Sequence, residues 1–250
     1  MAISLAGKTY WLVGASEGLG RALADELAGA GARLCLSARS RERLESLAAS
    51  LPAVAAGGHM AAPCDVASRE SVAAAFADLP ALDGVIVSAG LYEPIAATGW
   101  DAAAVEAMCD VNFTGTARVL GEAVPALVRQ GGGHIVIIGS LAGYRGLPGA
   151  IGYASSKAGA MHLAECLRLD LPSPQFCVQT VNPGFIETRL TAKNDFEMPY
   201  IMSAADAAVH VRKAMESGRF RTDFPAKFAW RFRLARLLPD RLYHRLAKGG

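Results

Sequence analysis

Tyr10-Trp11-Leu12-Val13-Gly14-Ala15-Ser16-Glu17-Gly18-Leu19-Gly20 is the stretch that decides the fold. Its apolar start reads as a strand over Tyr10–Gly14, and the Ala/Leu-rich run that follows as a helix from about Gly18 to Gly29. The glycines between them are spaced G-x3-G-x-G. Glycines let a backbone turn tightly and come close to a pyrophosphate, whose charge is attracted by free N–H groups at a helix N-terminus. An ordinary strand-to-helix turn also uses glycine, so the position after the first strand gives the triplet its weight.

Outward from that turn, short apolar runs keep alternating with helical ones. Strands are expected at Arg33–Ser37, Gly58–Cys64, Gly84–Ser88, His134–Gly139 and Gln175–Val181, with a short seventh at Phe220–Asp223. Helices are expected at Arg41–Ala49, Ser68–Ala77, Asp101–Arg129, Tyr153–Leu169 and Ser203–Glu216. Unbroken apolar strands such as Ile135-Val136-Ile137-Ile138 suit a sheet covered on both faces. The pattern predicts an α/β fold: a Rossmann-type, doubly wound parallel sheet of about seven strands in three layers. No linker interrupts it, so residues 1–250 read as one domain, a core to 218 and an extension over 219–250.

Apolar residues make up 52% of the 250 and charged residues 19%, which excludes intrinsic disorder. No apolar run is long enough to span a bilayer, and the N-terminus lacks a signal-peptide core, so a cytoplasmic protein is expected. The five cysteines form no CxxC pair and read as buried reduced thiols. The five histidines show no ligand spacing, so no metal site is expected. Charge is uneven: residues 219–250 hold nine Lys/Arg and two Asp/Glu, leaving 16 basic and 21 acidic residues in the first 218.

An acidic residue at the end of the second strand would accept hydrogen bonds from an adenosine ribose and repel a 2′-phosphate. Here that strand ends Ser37-Ala38-Arg39-Ser40. Arg39 could clamp a 2′-phosphate bidentately, helped by a serine hydroxyl, so NADP(H) is favoured over NAD(H). Glu17, in the glycine loop, argues mildly the other way. Farther on, Tyr153 and Lys157 stand four apart on one helix face. A neighbouring ammonium would favour the phenolate of a tyrosine that otherwise titrates near ~10.

The G-x3-G-x-G loop, Asn112, Ser140 thirteen residues before Tyr153, Lys157, and Asn182-Pro183-Gly184 fall in an order that closely resembles the short-chain dehydrogenase/reductase family over roughly residues 6–218. The resemblance implies that Tyr153 is the general acid/base and that Ser140 orients the substrate oxygen. It implies that Lys157 holds the nicotinamide ribose and that Asn112 anchors a water for proton relay. Gly14, Ser16, Gly18, Leu19 and Gly20 would cradle the cofactor phosphates. Asp65 and Val66 would meet adenine; Pro183, Gly184, Ile186 and Thr188 would line the nicotinamide. The chain departs from the family at Val13, where Thr is usual, and at Val87-Ser88-Ala89-Gly90, where Asn-Asn-Ala-Gly is usual.

The substrate loop that the family places after the sixth strand falls at about Thr188–Met202 and carries Phe196, Met198 and Tyr200. Tyr92, Leu141, Tyr144, Leu147 and Phe185 would add further walls. That apolar set suits a hydrophobic ketone, aldehyde or secondary alcohol. Arg145 and Lys193 are candidates to meet an anionic group. The expected activity is NADP(H)-dependent carbonyl reduction or its reverse. The alternatives are a 3-oxoacyl carrier-protein reductase and a nicotinamide-binding regulator without chemistry. The resemblance also implies a homodimer or homotetramer. No nucleic-acid module is recognised. Leu234, Leu238, Leu242 and Leu246 recur every four residues among basic side chains, with Pro239 dividing the helix. Such a tail docks either on protein, the favoured reading, or peripherally on an anionic membrane.

Overall fold

Strand alternation builds the middle layer. The computed structural model describes residues 3–248; residues 1–2 and 249–250, the ends of the expected domain, lie outside the described residues. The strands are β1 (Thr9–Val13), β2 (Arg33–Ser37), β3 (Met60–Ala61), β4 (Gly84–Val87), β5 (Gly133–Ile138), β6 (Phe176–Pro183) and β7 (Arg221–Phe224). They form one sheet in the order β3-β2-β1-β4-β5-β6-β7, and every pairing is parallel. Side chains alternate across it with the two-residue period of a strand. Tyr10 and Leu12 face one apolar core, Trp11 and Val13 the other.

Helices α1 (Gly18–Gly29), α2 (Arg41–Ser50) and α7 (Ala204–Ser217) close the first face with Leu23, Leu27, Leu44 and Val211. Helices α3 (Arg69–Ala77), α5 (Gly115–Arg129) and α6 (Ile151–Asp170) close the second with Val72, Val119, Leu127 and Ala164. Truncating one of these buried leucines to alanine costs about 2–5 kcal/mol, because the cavity only partly collapses. The order of strands reverses between β1 and β4, which opens a crevice at their C-terminal ends, where ligands bind in open α/β sheets.

Four expectations need correction. The run Asp101–Arg129 is two helices, α4 (Ala102–Cys109) and α5, joined by a π-helical turn over Asp110–Thr114. In that wide turn the Asn112 carbonyl accepts the Thr116 hydroxyl at 2.7 Å. The third strand, expected over Gly58–Cys64, is two residues long. Pro63 has no N–H to donate, and only single bonds from Ala62 to Leu36 and Cys64 to Ala38 continue toward it. The sixth helix begins at Ile151, two residues before Tyr153. The extension starts after residue 224, not at 219, because β7 belongs to the sheet. It folds as α8 (Ala226–Leu237) and α9 (Asp240–Lys248), divided at Pro239 as expected.

Candidate active site

Each strand of the crevice ends in a residue whose backbone is then free to turn. The N–H groups of Gly14 and Ala15 both donate to the Ser37 carbonyl, at 2.7 and 3.0 Å, which pins the glycine loop against β2. Gly14 has φ +94°, and a Cβ there would stand 2.5 Å from the Ala89 nitrogen, so the segment Ser88-Ala89-Gly90 is tolerated only beside glycine. A Cβ on Gly20 would fall 1.9 Å from the Gly14 carbonyl oxygen. Thr188 reaches the same loop, its Cγ2 lying 3.0 Å from where Gly18 would carry a Cβ.

The four expected catalytic residues converge on this crevice. Ser140 follows β5, is 7% exposed, and its Oγ accepts the Ala142 N–H at 3.2 Å. Tyr153 lies half-buried on the first turn of α6, its ring edge-on to Tyr92 at 5.1 Å. Lys157 is buried one turn on; its Nζ donates to the Ile138 carbonyl at 3.0 Å, leaving two of three N–H bonds to spend elsewhere. The π turn aims Asn112 at the same place. Its Oδ1 accepts the Leu91 N–H at 2.7 Å, and its Nδ2 donates to the Leu91 carbonyl and the Ser156 hydroxyl, each at 2.9 Å. Both amide N–H groups are thus spent, while Oδ1 keeps one lone pair for a further donor.

Electrostatics refine one expectation. Burial pushes the Tyr153 phenol above its ordinary pKa, and the neighbouring Ser140 hydroxyl opposes this. Lys157 is itself pushed down to about 8 by burial. The protein's own groups therefore leave the phenol protonated, the form that can donate to a carbonyl oxygen.

The adenosine side is mixed. Arg39 is exposed and makes no ion pair among the described residues. Glu17 is held between two arginines, Arg43 at 2.8 Å and Arg189 at 3.2 Å, so its charge is offset and does not confront a phosphate alone. Ser37 is a correction. Its hydroxyl is fully buried, donating to the Ala62 carbonyl and accepting from the Trp11 indole, so only its backbone serves the loop. Ser16, Arg21 and Arg43 instead line an open cleft beside the glycine loop. Asp65 and Val66 follow β3; the Asp65 carboxylate accepts the Ala67 N–H, and Val66 packs against Gly115.

On the substrate side, the Tyr92 hydroxyl donates to Asn194 at 2.7 Å, tying the loop after β6 to the segment after β4. An ion pair of Lys193 with Glu93 spans the same gap, so Lys193 is not free to meet an anion. Phe185 stacks between Phe196 and Phe228 of α8, and Tyr200 also meets Phe228. Met198 contacts Asn194, and Leu147 is half-buried on the loop after Tyr144. Two expected walls are otherwise engaged. Leu141 is 1% exposed beneath Phe228 and Ala229, and the Tyr144 hydroxyl donates to Asp223 at 2.8 Å. Asp223, its carboxylate fully buried, also accepts Asn182 Nδ2 and Arg233 of α8, which fastens the tail to β6, the strand that ends in Pro183 and leads into Gly184. Ile186 is buried and bridges to Met202. Arg145 holds the tail rather than an anion: it donates to the Ala235 and Leu238 carbonyls, pairs with Asp240 and lies 4.4 Å over the Tyr243 ring. Phe228 and Phe232 were the residues missing from the expected pocket; their i, i+4 spacing was the available signal.

The family model for short chain dehydrogenases matches residues 8–198, most of the chain. The chain belongs to that family. This short-chain dehydrogenase is 35% identical over 247 residues to an uncharacterized oxidoreductase of Myxococcus xanthus, covering 96% of each chain. It is 30% identical over 201 residues to a 3-oxoacyl-[acyl-carrier-protein] reductase of Aquifex aeolicus, covering 77% of this chain and 79% of the other. A short-chain dehydrogenase from Burkholderia cenocepacia, solved in complex with NADP, superposes with a TM-score of 0.84 at 25% identity, covering 98% and 99% of the two chains. The protein is an oxidoreductase acting on CH–OH groups with NAD(P). The dehydrogenase's own residues fit that cofactor. Glu17 makes no side-chain bond to the N-terminus of α1, so the N–H groups there remain for a pyrophosphate. Gly90 keeps the space beside Lys157 Nζ and Asn112 Oδ1 clear: a Cβ there would stand 3.6 Å from both.

Proposed function

We propose that the protein is an NADP(H)-dependent reductase of hydrophobic ketones or aldehydes, or the dehydrogenase of the matching secondary alcohols. The observation that carries this is the convergence of Ser140, Tyr153 and Lys157, with the Tyr92 ring against Tyr153 and an aromatic cluster of Phe185, Phe196 and Phe228 on the substrate side. Bound NADPH would supply the hydride. The protonated Tyr153 donates its proton to the carbonyl oxygen as negative charge develops there. Ser140, beside that phenol, turns its single O–H to the same oxygen and fixes its position. Lys157, with two N–H groups unspent, holds the nicotinamide ribose and returns the phenol's proton. Burial of the centre raises the worth of each of these charges and hydrogen bonds.

Two experiments test the reading. Replacing Tyr153 with Phe keeps the ring but removes the proton; ketone turnover with NADPH should fall at least about a hundredfold, the usual scale of a general acid. Undiminished turnover would sink the mechanism and leave the regulator alternative. Arg39→Ala should weaken NADPH binding, followed by nucleotide fluorescence, about tenfold or more while leaving NADH binding nearly unchanged. Equal loss for both nucleotides would remove Arg39 from the 2′-phosphate.

A further inference from the structure

The two tail helices each bury one side and leave the other bare. On α8 the buried side is Phe228 and Ala229, at 7% and 1% exposure; on α9 it is Tyr243, whose hydroxyl donates to the Gly146 carbonyl at 2.6 Å. The outward side is apolar as well. Trp230, Leu234 and Leu237 are 58%, 52% and 79% exposed and fall on one helical face by their i, i+4, i+7 spacing. Leu242 and Leu246, 45% and 60% exposed, form the matching pair on α9. Interleaved with them are Lys227, Arg231, Arg241 and Arg245, all exposed and without an ion pair among the described residues. The only carboxylate on either helix, Asp240, is taken by Arg145. The favoured sequence reading, docking on protein, therefore describes only the inner side.

We propose that the outer face of α8 and α9 docks on an anionic phospholipid surface. Charge complementarity names the occupant: a face with four free cations and no free carboxylate repels other basic surfaces and selects an anionic one. The apolar side chains decide between anionic partners. Leucines alternating with arginines on both helices, with an indole among them, suit a headgroup–acyl boundary, where apolar side chains sink and cations stay at the phosphates. An acidic protein would be served by the cations alone. The docked inner side, held by Arg145 and by Arg233 on Asp223, presents this face already folded. A further consequence, which rests on the proposed function, is that Phe228 joins the surface-docking helix to the aromatic cluster with Phe185, placing the active site near a bilayer that dissolves apolar carbonyls.

The test is co-sedimentation of the full chain with vesicles of phosphatidylcholine carrying about 30% phosphatidylserine, and with phosphatidylcholine alone. It needs no turnover, so its failure leaves the proposed function intact. Binding is expected to the anionic vesicles and to be at least about tenfold weaker on the neutral ones, and to weaken about tenfold or more between about 0.05 and 0.5 M salt. Leu234→Ser combined with Leu237→Ser, both at exposed positions and checked for an unchanged circular dichroism spectrum, should weaken it about tenfold or more. No sedimentation with anionic vesicles at low salt overturns the proposal. So does binding that salt abolishes but the two serines leave untouched, which points to an acidic protein partner. So does self-association that the serines abolish without vesicle binding, which assigns the face to a second copy of the chain.

Discussion

Lys157 sets a pH limit that can be read in kinetics. Burial holds its ammonium down at about 8, whereas the Tyr153 phenol is pushed up, so as pH rises the lysine loses its proton first. The ammonium is the form that holds a ribose and can return a proton. We expect kcat/KM for reduction to be flat below pH 8 and to fall about tenfold per unit above it, because that ratio reports groups of the free enzyme. A profile flat to pH 10 would detach Lys157 from the reaction. At this scale the sequence was informative wherever chemistry dictates residue type, as at Tyr153, Lys157, Ser140 and the three glycines. It was misleading at Ser37, Leu141 and Arg145. Spacing along a chain does not say whether a hydroxyl, a leucine or a guanidinium will find its partner inside the protein, and all three did.

Elements show the same division. The helices and strands follow from hydrophobic period, and the break at Pro239 from proline's missing donor. The π turn at Asn112 left no such mark. One extra residue in a turn leaves the apolar period almost intact, and the contact made there, the Asn112 amide closing on Leu91, is tertiary. The tail's packing was equally hidden, because Arg145 reaches it across 90 or more residues. Its side chain is largely buried and binds the last carbonyls of α8 as well as the start of α9. Arg145→Ala should loosen both helices by about 2 kcal/mol, the scale of a few lost charge-assisted hydrogen bonds. Tryptic cleavage within 226–248 should then quicken about thirtyfold, with the sheet unaffected. Unchanged cleavage would mean that Asp223 and Arg233 hold the tail unaided.

For the whole molecule, acid stability depends on a chain of polar groups beneath the sheet, far from the crevice. The Tyr10 hydroxyl lies 2.9 Å from His134 Nδ1, and His134 Nε2 lies 2.6 Å from Gln179 Oε1. Burial lowers the His134 pKa from 6.5 to about 4, so the folded protein keeps the ring neutral where the unfolded chain already binds a proton. Stability is therefore complete above pH 6.5 and declines as pH falls toward 4, by about 3 kcal/mol. Urea midpoints measured across that window should show the decline, and His134→Gln should flatten it. A wild-type midpoint constant from pH 7 to 4 would refute this account. The sheet's two margins matter at this scale too. Strands β3 and β7, its outermost members, have two and four residues, and the second carries Arg221 and Asp223. A foreign chain seeking to extend the ladder finds almost no free rung at β3 and only four residues at β7. That brevity guards a half-apolar protein against fibril growth.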